Sequence, residues 1–328
     1  MKELPKVFIS EPINPKGMEM LEGKVQIVIA PDTKKETARA LIQDADAAIL
    51  RATTIFDSDV IRAGVRLKAI VRTGIGVDNV DLQCAGERGI YVCNTPGTND
   101  ETVAEHAVAM ILAFAKQIMI MDQAVRTQNW KERFSTRQVD IKHKKIGIIG
   151  YGNIGVATAR FCISLGMQVL AYDPFVLRAD LGVEMTDDLE YLFRESDFVS
   201  LHCPSTPLTR NLINRKYLQL MKPGAYLVNT SRGDLVVEAD LVGALKEKRI
   251  AGAALDVFAE EPLPANSPLL ALSNIILSPH VAGSTKESNE RIAIAAAEAV
   301  LDTLAGKTPR HICNMEHLSL IQKSAFFA

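Results

Sequence analysis

Three side chains with complementary chemistry follow three apolar runs in the second half of the sequence. Arg232 comes two residues after AYLVNT (225–230), Glu260 and Glu261 come shortly after AGAALDV (251–257), and His280 closes IILSPH (275–280). If these runs are parallel strands, a ligand binds beyond their carboxyl ends, and all three groups lie on one edge. Such a set suits hydride exchange between a 2-hydroxy acid and a nicotinamide dinucleotide. A histidine titrates in the range needed to take the hydroxyl proton. A carboxylate beside it orients the ring and favours its protonated form. An arginine fork grips the substrate carboxylate and polarises the carbonyl oxygen. Taken singly, Arg232 could be a capping or ion-pair residue, His280 a satisfied strand-end residue and either glutamate a solvated loop acid. Their shared position weighs against that, although position alone does not choose between Glu260 and Glu261.

The cofactor half of this chemistry has its own signature. KIGIIGYGNIGVATARFCISLGMQVLAYD (145–173) runs from strand to helix to strand, with Gly150, Gly152 and Gly155 in a G-x-G-x-x-G spacing. The first glycine permits a tight turn, the second lets a pyrophosphate approach the backbone, and the third lets helix and strand pack closely. The helix starting near Asn153 and Ile154 points free N–H groups and its positive dipole end at the phosphates. Asp173 ends the second strand about 20 residues further on, where an acid accepts hydrogen bonds from the adenine-side ribose. A 2′-phosphate would meet like charge there, and Pro174 follows rather than an arginine, so NAD is expected over NADP.

These residues need strands to carry them. Apolar runs recur as VFIS, VQIVIA, AAIL, LKAIVR and IYVCN before residue 95, and as KIGIIG, QVLAYD, FVSLH, AYLVNT, AGAALDV and IILSPH after it. Helical stretches lie between them, which implies an α/β fold with parallel, doubly wound sheets. The runs are apolar throughout rather than alternating, as expected of strands covered on both faces. They are too many for one compact sheet in 328 residues, so two domains are expected. The boundary is placed at TPGTNDET (95–102), ahead of a long helix over about 102–121. The last helix, about 286–306, is expected to cross back, giving a first domain of 1–98 and 286–328 around a second of 99–285.

Composition narrows the partners. The chain is 48 % hydrophobic with a net charge of −2, which gives no general reason to expect nucleic acid or an anionic membrane. HAVAMILAFAKQIMIM (106–121) is the most lipid-like stretch, but Lys116 and Gln117 interrupt it short of a membrane span. The five cysteines are scattered without a Cys-x-x-Cys, so neither a disulfide framework nor a metal site is expected, and a cytoplasmic setting fits. His106 and His202 read as core or supporting residues. Cys162 and Cys203 read as buried small ones.

The sequence resembles the D-isomer-specific 2-hydroxyacid dehydrogenases, especially their 3-phosphoglycerate dehydrogenase-like branch, along nearly its whole length. The motifs that carry the resemblance are RTGIGVDNVD (72–81), NTPG (94–97), GYGNIG (150–155), LMKPGAYLVNTSRGDLVVEADL (220–241), ALDVFAEEP (254–262) and SPHVAGST (278–285). The resemblance implies a Rossmann NAD-binding domain and a flavodoxin-like substrate domain. It implies that Arg232, Glu261 and His280 are catalytic, choosing Glu261 over Glu260. It implies that Asn153, Ile154, Asp173, Cys203, Pro204, Thr230, Asp256 and Gly283 line the NAD cleft. It also implies that Ile75, in the loop Gly74–Gly76, lies near the substrate carboxylate, and that the protein is a homodimer through the helix at about 102–121.

The expected substrate is a small 2-hydroxy acid, 3-phosphoglycerate first, then hydroxypyruvate or glyoxylate, D-lactate-type and sulfonated acids. Arg51 and Arg72 follow AAIL and LKAIV at strand ends. Arginine forks there suit a second anionic group on the substrate, with Arg133 of a neighbouring subunit a further contributor. The chain stops soon after HICNMEHL, so feedback through an appended regulatory domain is not expected. A function of another class, an NAD-sensing corepressor like the C-terminal binding proteins, would call for the long tails that this compact sequence lacks.

Overall fold

The computed structural model describes residues 3–135, 138–180 and 182–318. The chain divides into two units. One runs to Asn99 and resumes at Ser284; the other spans Asp100–Gly283.

The first unit holds β1 (Lys6–Ile9), β2 (Gln26–Ile29), β3 (Ala47–Leu50), β4 (Ala69–Arg72) and β5 (Tyr91–Cys93). They form one parallel sheet in the order β2-β1-β3-β4-β5. Alternate residues feed two cores. Phe8, Leu50 and Ile70 join Phe56 and Ile61 on one face; Val7, Ile9, Ile49 and Val71 fill the other. That second face is covered by the helix Lys286–Leu304, through Ala296, Ala297 and Val300. The helix Pro15–Leu21 meets it so closely that a Cβ on Gly17 would lie 2.6 Å from the Ala293 carbonyl oxygen.

The second unit holds β6 (Lys145–Ile149), β7 (Gln168–Tyr172), β8 (Glu184–Met185), β9 (Phe198–Leu201), β10 (Tyr226–Asn229), β11 (Gly252–Leu255) and β12 (Ile275–Leu277). All run parallel, in the order β12-β11-β10-β9-β6-β7-β8. The chain therefore winds outward from β6 in one direction through β7 and β8, and in the other from β9 to β12. β6 and β9 are neighbours at the point where the winding reverses, and there an open α/β sheet leaves a crevice at its carboxyl edge. Leu170, Val199, Leu201 and Leu227 pack on one face, and Ile146, Ile148, Phe198 and Val228 on the other.

Each apolar run carries a strand, with three differences from the sequence reading. β8 is a two-residue edge strand with no apolar run to announce it. β2 is not covered on both faces: Gln26 is exposed and Ile29 is 42 % exposed, as an edge strand allows. The long helix expected over 102–121 is two helices, Asp100–Ala115 and Ile118–Arg126, bent by 58°. The break lies at Gln117, whose backbone is left-handed (φ 53°) and whose amide donates to the Phe114 carbonyl at 2.8 Å. No single helix among the described residues is long and apolar enough to cross a membrane.

Candidate active site

The glycine turn sits at the reversal of the second sheet. Gly150 follows β6 with φ 93°, a conformation that disfavours a side chain, and a Cβ there would lie 2.5 Å from the Cys203 amide nitrogen at the end of β9. A Cβ on Gly155 would lie 2.2 Å from the Gly150 carbonyl oxygen, so the helix Asn153–Ser164 is seated directly on the turn. Gly152 is different: a Cβ there meets nothing within 4 Å. The outer glycines thus close the turn onto β9 and the helix, and the middle one leaves an open approach to the helix N-terminus. Asp173 accepts the amides of Tyr151 (2.8 Å) and Phe175 (2.9 Å), tying the end of β7 to the glycine turn. Cys203 is buried, Pro204 is exposed beside it, and Thr230 is 8 % exposed with its hydroxyl unpartnered. An open helix N-terminus, an acid on the next strand and an orphaned hydroxyl on β10's edge are what a bound dinucleotide requires, so these residues fit the cofactor. Burial pushes the Cys203 thiol up to about 11, which leaves it inert as a nucleophile.

The three chemical groups come together on the neighbouring strand ends of the same unit. His280 Nδ1 and Glu261 Oε2 are 2.7 Å apart, and Glu261 Oε1 accepts the Phe258 amide at 2.9 Å. Burial pushes the Glu261 carboxyl up, but the bonds from His280 and the Phe258 amide, with the charges of His280 and Arg232, outweigh it. The net value lies below the ordinary one. Glu260 takes no part in this pair. Arg232 lies in a turn shaped by Asn229, whose side chain accepts the Ser231 amide (3.0 Å) and donates to the Arg232 carbonyl (2.8 Å). The Arg232 guanidinium donates to the Ser231 carbonyl at 2.7 Å.

Two features of this arrangement leave no mark in the spacing. A Cβ on Gly233 would fall 1.9 Å from the Phe258 carbonyl carbon, so the arginine turn rests on the backbone that leads into Glu261. Asp256 is wholly buried, with Oδ1 accepting the Val281 amide (2.9 Å) and Oδ2 the Ala282 amide (2.8 Å). The structure thus puts Asp256 beneath the histidine turn rather than on an accessible surface. His280 itself has left-handed backbone (φ 54°), which costs a residue with a β-carbon roughly 1–3 kcal/mol. Gly283 closes the turn and ends the unit.

The remaining candidates, Arg133 apart, lie in the first unit. Arg51 directly follows β3 and Arg72 ends β4, one strand over, where Leu50 and Arg72 are register partners. Arg51 donates to the Pro12 carbonyl at 3.4 Å. Arg72 turns back over its own loop: its guanidinium donates to the Thr73 carbonyl and occupies the space where Gly74 would carry a Cβ. The loop is clamped by Thr95, whose hydroxyl accepts the Gly74 amide (2.8 Å), and by Asn94, whose amide donates to the Ile75 carbonyl (2.7 Å). Ile75 and Gly76 are half-buried. Arg133 lies in the short helix Trp130–Phe134 of the second unit, its guanidinium 4.6 Å from the Phe134 ring centre.

Residues 108–282 match the model of the family described as D-isomer specific 2-hydroxyacid dehydrogenase, NAD binding domain. The chain belongs to that family. It is 40 % identical over 319 residues to a D-3-phosphoglycerate dehydrogenase of Synechocystis sp., covering 96 % of this chain but only 57 % of the relative. It is also 40 % identical to a glyoxylate reductase of Thermofilum pendens, with 96 % of each chain covered. Among solved structures, an NADPH-dependent glyoxylate/hydroxypyruvate reductase from Sinorhizobium meliloti, in complex with NADP and malonate, aligns with a TM-score of 0.85 at 26 % identity. That alignment covers 94 % of this chain and 97 % of the other. The family model makes the second unit a nicotinamide-dinucleotide-binding domain, with the glycine turn at the sheet reversal.

Proposed function

We propose that this family member transfers a hydride between NAD(H) and a small D-2-hydroxy acid or 2-keto acid. The observation that carries the proposal is the 2.7 Å contact of His280 with Glu261, beside the arginine turn and on the same sheet edge as the glycine turn. Because Nδ1 faces a carboxylate, it carries a proton, and Nε2 is left to exchange a proton with the substrate hydroxyl. Glu261 keeps the ring oriented. Arg232 binds the substrate carboxylate and polarises the oxygen at the reacting carbon. The bound dinucleotide supplies the hydride acceptor or donor, and the protein supplies position and charge.

The preferred substrate is 3-phosphoglycerate, with Arg51 and Arg72 holding its phosphate and the Gly74–Gly76 loop, with Ile75, close to its carboxylate. The full-length likeness to a glyoxylate reductase favours a second reading, in which the acid is glyoxylate or hydroxypyruvate and neither arginine meets a second anion. Initial rates with NADH and 3-phosphohydroxypyruvate, hydroxypyruvate, glyoxylate and a sulfonated keto acid separate the two. The first reading predicts preference for the doubly anionic acids and selective loss of that preference in Arg72→Ala. Equal loss on every acid rejects it. A homodimer is proposed as the working state. Ile118, Met119, Val125, Trp130 and Phe134 are exposed along 118–134, apolar side chains that a subunit contact would cover. Sedimentation equilibrium reads this directly, and a monomer at micromolar concentration rejects it.

A further inference from the structure

We propose that Ser278 and His106 are positioning residues for His280, acting through a hydrogen-bonded chain His106–Ser278–Asp256 that fixes the turn carrying the ring. The proposal rests on the acid–base reading of His280 given above and adds two residues to it.

The turn is fastened to one residue. Asp256 takes the Val281 and Ala282 amides on its two carboxylate oxygens and the His280 amide on its main-chain carbonyl, the last at 2.7 Å. Three successive amides thus end on Asp256, and they hold a histidine in left-handed backbone that it would otherwise leave. The position of the ring therefore depends on where the Asp256 side chain points. That side chain has no solvent exposure, and a buried carboxylate is stable only when donors surround it.

Ser278 and His106 complete that surround. The Ser278 hydroxyl lies 2.5 Å from Asp256 Oδ1, and His106 Nε2 lies 3.2 Å from the same hydroxyl and 3.8 Å from Asp256 Oδ1. A serine has one proton to give. Given to the carboxylate, it leaves the hydroxyl oxygen to accept from His106, so His106 Nε2 carries a proton. His106 belongs to the helix Asp100–Ala115, 172 residues away in sequence from Ser278. The chain thus links a core helix to the end of β12 and, through Asp256, to the end of β11. Cutting it frees Asp256 to rotate and lets the 280–282 turn relax, which moves the His280 ring off its productive line without removing any group that touches substrate or cofactor. The charged and titratable groups facing His280 in this unit, Glu261 and behind it Arg232, are untouched by the cut.

The test uses the full chain with NADH and its best keto acid. Ser278→Ala and His106→Phe should each lower kcat about tenfold or more, since small misplacements of a reacting group cost that much. KM and the NADH dissociation constant should stay within about threefold, the pattern of an interaction felt only in the transition state. The double variant should be no worse than the poorer single one, because one chain is cut twice. Ser278→Thr and His106→Gln, which keep a hydroxyl and a side-chain N–H donor, should recover most of the loss. Hydrogen–deuterium exchange supplies a readout free of turnover: the peptide covering 278–285 should exchange faster in Ser278→Ala, while peptides of β6 and β10 stay as in the unaltered protein. Unchanged kcat in both variants overturns the proposal. So does a parallel loss of NADH affinity, or a failure of Thr and Gln to rescue, since either marks a general structural role. A His280→Ala variant that turns over normally sinks the acid–base reading instead, and the exchange measurement still reports whether the chain holds the turn.

Discussion

His280 and Glu261 make the residue-scale predictions. His280→Ala should lower kcat by roughly 10²-fold or more, the usual contribution of a placed general acid–base, while NADH titration gives an unchanged affinity. Glu261→Gln removes a charge-assisted bond that contributes about 1.5–3 kcal/mol, so kcat at neutral pH should fall tenfold or more. The Glu261 carboxyl is held below its usual value, so its contribution to stability is present at neutral pH and lost only as acid protonates it, below the ordinary carboxylate range. Gly233→Ala places a methyl group into the Phe258 backbone, and overpacking of this kind costs about 1–3 kcal/mol; a lower melting temperature and a fall in kcat should appear together. Asp173→Ala should narrow the ratio of kcat/KM for NADH over NADPH. Its carboxylate also receives two backbone amides, so NADH affinity should fall as well. If the unaltered protein uses both cofactors equally, the role given to this acid is wrong. At this scale the sequence exposes which residues could react, because reactive side chains at strand ends are few. It conceals what holds them. Gly233 against Phe258, and His106 against Ser278, are contacts between segments far apart in sequence, and no local spacing encodes them.

At the scale of elements, long apolar runs made the strands and their parallel sheets legible, because burial on both faces demands such runs. The two-residue β8 and the half-exposed β2 are edge strands, where that demand lapses. The bend at Gln117 was hidden for another reason: Lys116 and Gln117 are ordinary helix formers, and the left-handed residue is fixed by packing rather than propensity. The reversal of the sheet at β6 and β9 has a measurable consequence through His202. Its ring lies 2.9 Å from the Ser200 hydroxyl through Nε2, its Nδ1 has no partner, and burial pushes it from 6.5 down to about 4. Between those values the unfolded chain binds a proton that the folded one refuses, so stability is full above pH 6.5 and declines as the pH falls toward 4. Melting temperatures across that window should fall more steeply for the unaltered protein than for His202→Gln. Parallel curves would remove His202 from the explanation.

At the scale of the whole molecule, the second unit is continuous in sequence and packs a core on each face of its own sheet. Residues 100–283 produced alone should therefore melt cooperatively and still bind NADH. The first unit should not fold from residues 1–99 alone, because Val7, Ile9 and Val71 lie on the face covered by Ala296, Ala297 and Val300. Joining 284–318 to 1–99 by a flexible linker should restore a cooperative transition. Cooperative melting of 1–99 by itself would contradict this account of the core.

The return of Lys286–Leu304 to the first sheet also sets an order of events during synthesis. Domains made on the ribosome ordinarily fold from the N-terminus as they emerge. Here residues 1–99 must wait for residues 284–304, an interval of roughly 10–40 s at ordinary elongation rates. During it the apolar strand segments of the first unit have no helix to close on, while the segment made in between can already be folded. The unit that begins first is thus expected to be completed last, and its unfolded strand segments are where a chaperone would find its client.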